Sequence, residues 1–197
     1  DGQATWDPDM SPSSFHGVTT TVFGNCGVGF APARSDSHDW LIQLMEGVED
    51  IPGAALSEGI DWNWETFPEY LDALEEMPRV MDIATQVPHG SVRAYVMGER
   101  GARNEEPTPD DLVEMAKIVQ EGIEAGALGF TSSRTMLHRA LDGEPVPGTF
   151  AGADELIAMG KAVAEAGGGV VEVASDIGLG GLEGNFGSDI DWMRELA

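Results

Sequence analysis

The chemistry open to this chain rests on a few side chains. Cys26 is its single cysteine, set in the sharp turn Gly24-Asn25-Cys26-Gly27. Without a second cysteine there is no intrachain disulfide. Cys26 is therefore a buried small hydrophobe, a nucleophile or a metal ligand, and a thiolate there could hold zinc at about 2.3 Å. His89, in Val87-Pro88-His89-Gly90, could bind metal or substrate; the alternative is a histidine hydrogen-bonded within a loop. Ser132, Ser133, Arg134 and His138 form a further polar group. Arg134 could grip a substrate carboxylate with two parallel hydrogen bonds, or pair with one of the chain's many acids. His16 precedes its strand and His38 falls in a first helical turn, which argues against both. Asp1 and Asp7 are loop acids. There is no His-x-His and no His-Glu-x-x-His, so these residues alone do not single out one reaction.

The elements that must position them alternate. Val18 to Phe23 (VTTTVF) is β-branched and aromatic, as strands are, and runs directly into the Cys26 turn. Ser35 has the chemistry of an N-cap before the helical spacing of Trp40, Leu41, Leu44, Met45 and Val48. Thr66 with Glu69 forms a capping box. Val80 to Val87 reads as a strand that delivers His89, and Val92 to Met97 as a shorter extended piece. Thr108-Pro109-Asp110-Asp111 opens a helix that Gly126 stops. Ala127 to Ser133 is a strand, Ala153 to Ala166 a helix, Gly169 to Ser175 a strand, and Asp189 onward a helix. The glycine-rich stretch Gly178 to Gly187 reads as a mobile loop, and Asp142 to Gly152 as a long loop near a site.

This β-α order predicts parallel strands with helical crossovers, in an open doubly wound sheet or a (β/α)8 barrel. Gly24-Asn25-Cys26-Gly27-Val28-Gly29 does not match the dinucleotide fingerprint G-x-G-x-x-G, which favours the barrel. Only four strands are visible where a barrel needs eight, so the fold expected is α/β, about the N-terminal half of a (β/α)8 barrel. In a barrel Cys26, just beyond a strand's C-terminal end, lies on the catalytic face. His89 and Ser132 are expected on that same face.

The chain has 197 residues, 35 Asp+Glu against 10 Lys+Arg, and a net charge of −25. That charge repels nucleic acid and anionic membranes, both of which are held by Lys and Arg. A high-salt habitat and an ordinary cytoplasm both suit so acidic a surface. No apolar run approaches the roughly 20 residues of a membrane span, and no secretory leader is visible. A cytoplasmic location is the expectation. Asp1 in place of Met suggests a chain processed or taken from a longer reading frame.

Asp1-Gly2-Gln3, Trp6-Asp7-Pro8, Ser11-Pro12, Gly17-Val18-Thr19-Thr20, Gly24-Asn25-Cys26-Gly27 and Ala31-Pro32 together resemble the start of the N-acyl-D-amino-acid deacylase (D-aminoacylase) family of the amidohydrolase superfamily. Val87-Pro88-His89-Gly90 with Arg93, Val96-Met97-Gly98, Gly126-Ala127-Leu128-Gly129-Phe130 and Ser132-Ser133 continue the resemblance. It covers most of residues 1–174. It implies a metal-dependent barrel that hydrolyses amide bonds of N-acyl amino acids, with zinc or another divalent metal and with Cys26 as a ligand. It further implies a His-x-His pair upstream of Asp1 and a catalytic aspartate beyond Ala197, so residues 1–197 would be a partial catalytic domain truncated at both ends. The family's fifth-strand histidine has no counterpart in Val170-Val171-Glu172-Val173-Ala174-Ser175; there Glu172 is the candidate oxygen ligand. His89, Ser132, Ser133, Arg134 and His138 are the candidates for binding substrate.

Two other readings stand beside this one. The chain could be a homologue that keeps the fold without a full metal site. It could also be a different barrel enzyme, such as a phosphate binder, for which Cys26 would be incidental. As an isolated piece the chain is expected to be inactive, and molten or self-associated at low salt.

Overall fold

In a computed structural model, the structure describes residues 1–176 and 186–197. Its centre is a row of parallel strands. β1 (Thr20–Phe23) pairs with β2 (Asp82–Thr85), β3 (Val87–Pro88) with β4 (Gly129–Arg134), and β4 with β5 (Val170–Ser175), all in parallel. Gln86 divides β2 from β3. Its amide still donates to the Phe23 carbonyl, and Leu128 N to that of Thr85, so neighbouring chains stay in step across the break. The sequence reading of one strand from Val80 to Val87 thus becomes two short ones.

Helices cover one side of this row. α1 (His38–Glu49), α2 (Gly53–Gly59) and α3 (Phe67–Glu76) follow β1. α4 (His89–Met97), α5 (Glu99–Ala102) and α6 (Pro109–Ala125) follow β3; α7 (Ala153–Glu165) follows β4, and α8 (Phe186–Leu196) follows β5. Thr66 and Thr108 each close a capping box, with Glu69 and Asp111 respectively. Gly126 ends α6 at φ 118°, a left-handed cap that costs glycine nothing sterically. Met115, Val119 and Ile123 of α6 and Phe67 and Tyr70 of α3 are buried in one apolar core with Val87 and Phe130.

Three local readings differ. Val92 to Met97 is not extended but lies in α4, where His89 and Arg93, one turn apart, reach the same carboxylate. The residue before α1 is Ser37, not Ser35, and its hydroxyl bonds back to Arg34 O instead of capping the helix. The short helix α2 has no counterpart in the sequence reading. Most of the loop expected at Gly178 to Gly187 lies outside the described residues, and its last glycine already belongs to α8. No helix among the described residues is long and apolar enough to cross a membrane.

Candidate active site

Cys26 sits in a 3-10 turn, Asn25–Gly27, just past the C-terminal end of β1. Its φ of 59° is left-handed, a conformation that costs an L-residue roughly 1–2 kcal/mol. Such strain persists only where the surroundings over-determine it, and here they do. Asp1 Oδ1 accepts from Gly24 N at 2.8 Å, Thr131 Oγ1 accepts from Gly27 N at 3.1 Å and donates to Gly24 O, and Gln86 Nε2 donates to Asn25 Oδ1 at 3.0 Å. Gly27 admits no side chain: a Cβ would stand 2.6 Å from Ser133 N.

The turn meets β5 through Gln86. The same Gln86 Nε2 donates to Glu172 Oε2 at 2.8 Å, while Gln86 Oε1 is buried with no hydrogen-bond partner among the described residues. Burial raises the Cys26 thiol pKa, and the nearby Glu172 and Glu49 carboxylates raise it further. Gln86 thus stands between the Cys26 turn, held through Asn25, and Glu172 on β5. A thiol, a carboxylate and an amide oxygen are each ligand types that a borderline-soft divalent metal accepts. Among the described residues no three of His, Cys, Asp and Glu form a group able to hold a metal by themselves.

The period-2 alternation of β4 sorts the remaining candidates. Thr131 bonds the Cys26 turn and lies opposite Glu172, and Ser133 Oγ meets His138 Nδ1 at 3.2 Å. Ser132 turns the other way, toward the helices, where its Oγ lies 2.8 Å from His89 Nδ1. His89 Nε2 meets Glu155 Oε1 at 2.9 Å, and Arg93 completes the group by donating to the same oxygen. Arg134 also faces the helices and donates to Ala151 O at 2.6 Å.

His89, just past β3, and Ser132 and Arg134, in the second half of the parallel strand β4, lie toward the same end of the strands as Cys26. Direct contact with substrate is a different matter. His89 and Ser132 are fully buried with each other as partners, so both turn away from the Cys26 side. Burial lowers the pKa of His89. Burial also opposes ionisation of Glu155, but the His89 and Arg93 contacts outweigh it and hold that carboxyl below its usual range. Gln86, Thr131, Glu155 and the Asp176 carboxylate, which accepts from Thr135 Oγ1 and from Met136 N, were not singled out from sequence. Alternation along Thr131-Ser132-Ser133 is the signal that could have found Thr131. His16 is exposed and lies ahead of β1. His38 is half-buried and stacked on Trp62, rings 3.9 Å apart and 7° from parallel. A cleft of about 940 Å³ between α1, α4 and the 140–147 loop is lined by none of the candidate residues.

The whole chain, residues 1–197, matches the profile of the Amidohydrolase family. The chain belongs to this amidohydrolase family. An uncharacterised protein of Mycobacterium bovis is 31% identical over 160 residues, covering 77% of this chain and 26% of that protein. A D-aminoacylase of Alcaligenes xylosoxydans xylosoxydans is 34% identical over 126 residues, covering 63% of this chain and 23% of that enzyme. Among solved structures, a D-aminoacylase studied for its binuclear metal centre superposes with a TM-score of 0.66 at 25% identity, covering 96% of this chain and 34% of its own. An N-acyl-D-glutamate deacylase of Bordetella bronchiseptica, solved with zinc and a phosphonate inhibitor, gives 0.58 at 28% identity, covering 81% and 28%. This amidohydrolase chain spans about a quarter of the length of the curated relatives it matches. Its parallel strands and outer helices are part of the amidohydrolase (β/α)8 barrel, and the resemblance carried by Gly24-Asn25-Cys26-Gly27 holds.

Proposed function

We propose that the protein to which this chain belongs hydrolyses the amide bond of N-acyl amino acids, D-amino acids among them, with a divalent metal such as zinc. The observation that carries the reading is Gln86, which ties the Cys26 turn, through Asn25, to Glu172 on β5 and leaves its own buried oxygen orphaned. Cys26 and Glu172 would hold the metal. When bound it would polarise the amide carbonyl and lower the pKa of a water. Gln86, donating to Glu172 Oε2, orients that carboxylate, as partners of metal ligands commonly do. Half-buried His138, held 3.2 Å from the fully buried Ser133 Oγ, would orient a substrate carboxylate, with Ser133 fixing its imidazole. His89, Ser132 and Arg134 serve from behind β4 by holding the strand. The remaining ligands and the proton-transferring aspartate belong, in this reading, to parts of the relatives that the chain does not span. The 197-residue chain by itself is then inactive. A cytoplasmic protein that binds neither nucleic acid nor membranes accords with the net charge of −25.

The test is metal content and turnover of the full-length protein. Wild type is expected to bind zinc stoichiometrically and to release amine from N-acyl-D-amino acids; Cys26→Ala and Glu172→Gln are expected to lose metal and turnover while remaining folded. Metal-free full-length protein that is folded and fully active would sink the proposal. Wild type that binds no metal and turns over nothing would instead favour a homologue that keeps only the fold.

A further inference from the structure

The Cys26 turn lies in a slot with two walls. One wall is β4, where a Cβ at Gly27 would stand 2.6 Å from Ser133 N and 2.9 Å from Ser132 Cα. The other is the start of α4, where a Cβ at Gly90 would stand 2.8 Å from Gly27 O. Close-packed backbone leaves no slack, so the turn moves when either wall moves.

Both walls are tied to one carboxylate on a third element. Glu155, in the first turn of α7, meets His89 Nε2 at 2.9 Å, on the residue before Gly90, and accepts from Arg93 one helical turn further on. His89 Nδ1 in turn meets Ser132 Oγ at 2.8 Å, in the β4 wall itself. Ser132, His89, Arg93 and Glu155 are each 2% exposed or less. An ionised carboxylate only accepts, so His89 Nε2 carries the proton and Nδ1 accepts from the Ser132 hydroxyl. The chain of bonds therefore sets directions as well as distances. Buried ionic groups are rarely more stabilising than apolar residues of equal volume, so plain glue does not account for this one.

We propose that Glu155 is a positioning residue for the Cys26 turn: through His89 and Ser132 it sets the spacing of the two walls, and thereby the affinity with which Cys26 holds a divalent cation. This rests on the metal-site reading of Cys26 and Glu172. Glu155 acts from behind β4, through its partners.

The test is a zinc titration of the metal-free, full-length protein, read by calorimetry. Glu155→Ala is expected to weaken binding by about ten- to a hundredfold, the range found when partners of metal ligands are removed. Glu155→Gln keeps an acceptor for His89 and recovers part of the loss. Met159→Ala is the control: Met159 is fully buried on the same helix but outside the chain of bonds, and its loss is expected to leave the affinity unchanged. The imidazole nitrogen shifts of His89 report the tautomer independently, a single Nε2–H form in wild type and a mixture in Glu155→Ala. Wild-type affinity in Glu155→Ala, or equal weakening in Met159→Ala, overturns the proposal. Should Glu155→Ala fail to fold, Ser132→Ala breaks the wall bond alone, and unchanged affinity there and in Glu155→Gln overturns it equally. Zinc bound as tightly by Cys26→Ala as by wild type would overturn the metal-site reading itself.

Discussion

Cys26 and Gly27 are both left-handed, at φ 59° and 75°, yet only one of them is a glycine. A thiol stands where the backbone favours no side chain. Comparing Cys26→Gly with Cys26→Ala separates backbone from side chain, since both remove the sulfur. The glycine variant is expected to be the more stable by about 1 kcal/mol in urea unfolding, and neither should bind zinc. A more stable alanine variant would show that the turn is not left-handed. Gly27 offers no such latitude, because its missing Cβ is the space that the backbone of Ser132 and Ser133 occupies.

At the scale of the elements, the capping box that opens α6 carries a pH-dependent share of stability. Thr108 N donates to Asp111, and this backbone bond, helped by Arg100, holds the Asp111 carboxyl below the usual carboxylate range. A carboxyl depressed on folding stabilises fully above its unfolded pKa and loses that contribution as pH falls through the folded value. Asp111→Ala should therefore melt below wild type at pH 7, and the gap should close as pH drops below about 4. An equal gap at both ends of that range would remove Asp111 ionisation from the account. This helix was legible in the sequence because a cap, a proline, early acids and a terminal glycine all act locally. Val92 to Met97 was not, because its β-branched and aromatic residues favour a strand in isolation, and the shared partner of His89 and Arg93 is more than 60 residues away. The candidate site was half legible for a similar reason. Cys26 stood out by its turn, and the strand ends placed His89 and Ser132 toward the same end as Cys26. Which way Ser132 and Arg134 point depends on the phase of β4, and that phase is set by Thr131 gripping a turn over a hundred residues earlier. Glu155 looks in sequence like any acid in a first helical turn; only the fold reveals it as buried.

For the whole molecule, charge and edges pull against the core. One apolar cluster joins α1, α3, α4, α6 and α7 to the strands. Among the described residues β1 and β5 are each paired on one side only, and Val22, Val170 and Val171 stand exposed along them. The surface ion pairs, such as Arg103 with Glu99 and Lys117 with Glu121, are solvent-exposed and contribute about 0–1 kcal/mol each at most. Self-repulsion from the net charge of −25 is the larger salt-sensitive effect. Raising salt from 20 mM to 1 M is expected to raise the melting temperature and narrow the transition of the 197-residue chain. A fall on adding salt would mean that ion pairs, not repulsion, dominate.

The bond from Gly27 N to Thr131 spans 104 positions of sequence. Closing so long a loop carries an entropic cost that nothing local offsets, and contacts of this range form slowly. The Cys26 turn therefore cannot be an early nucleus, however compact its sequence. On the ribosome, Cys26 emerges long before Thr131 exists to hold it. Until β4 has been synthesised and docked, the thiol belongs to an unformed turn, open to oxidants and to stray metal ions, and the nascent chain relies on its surroundings to keep that sulfur reduced.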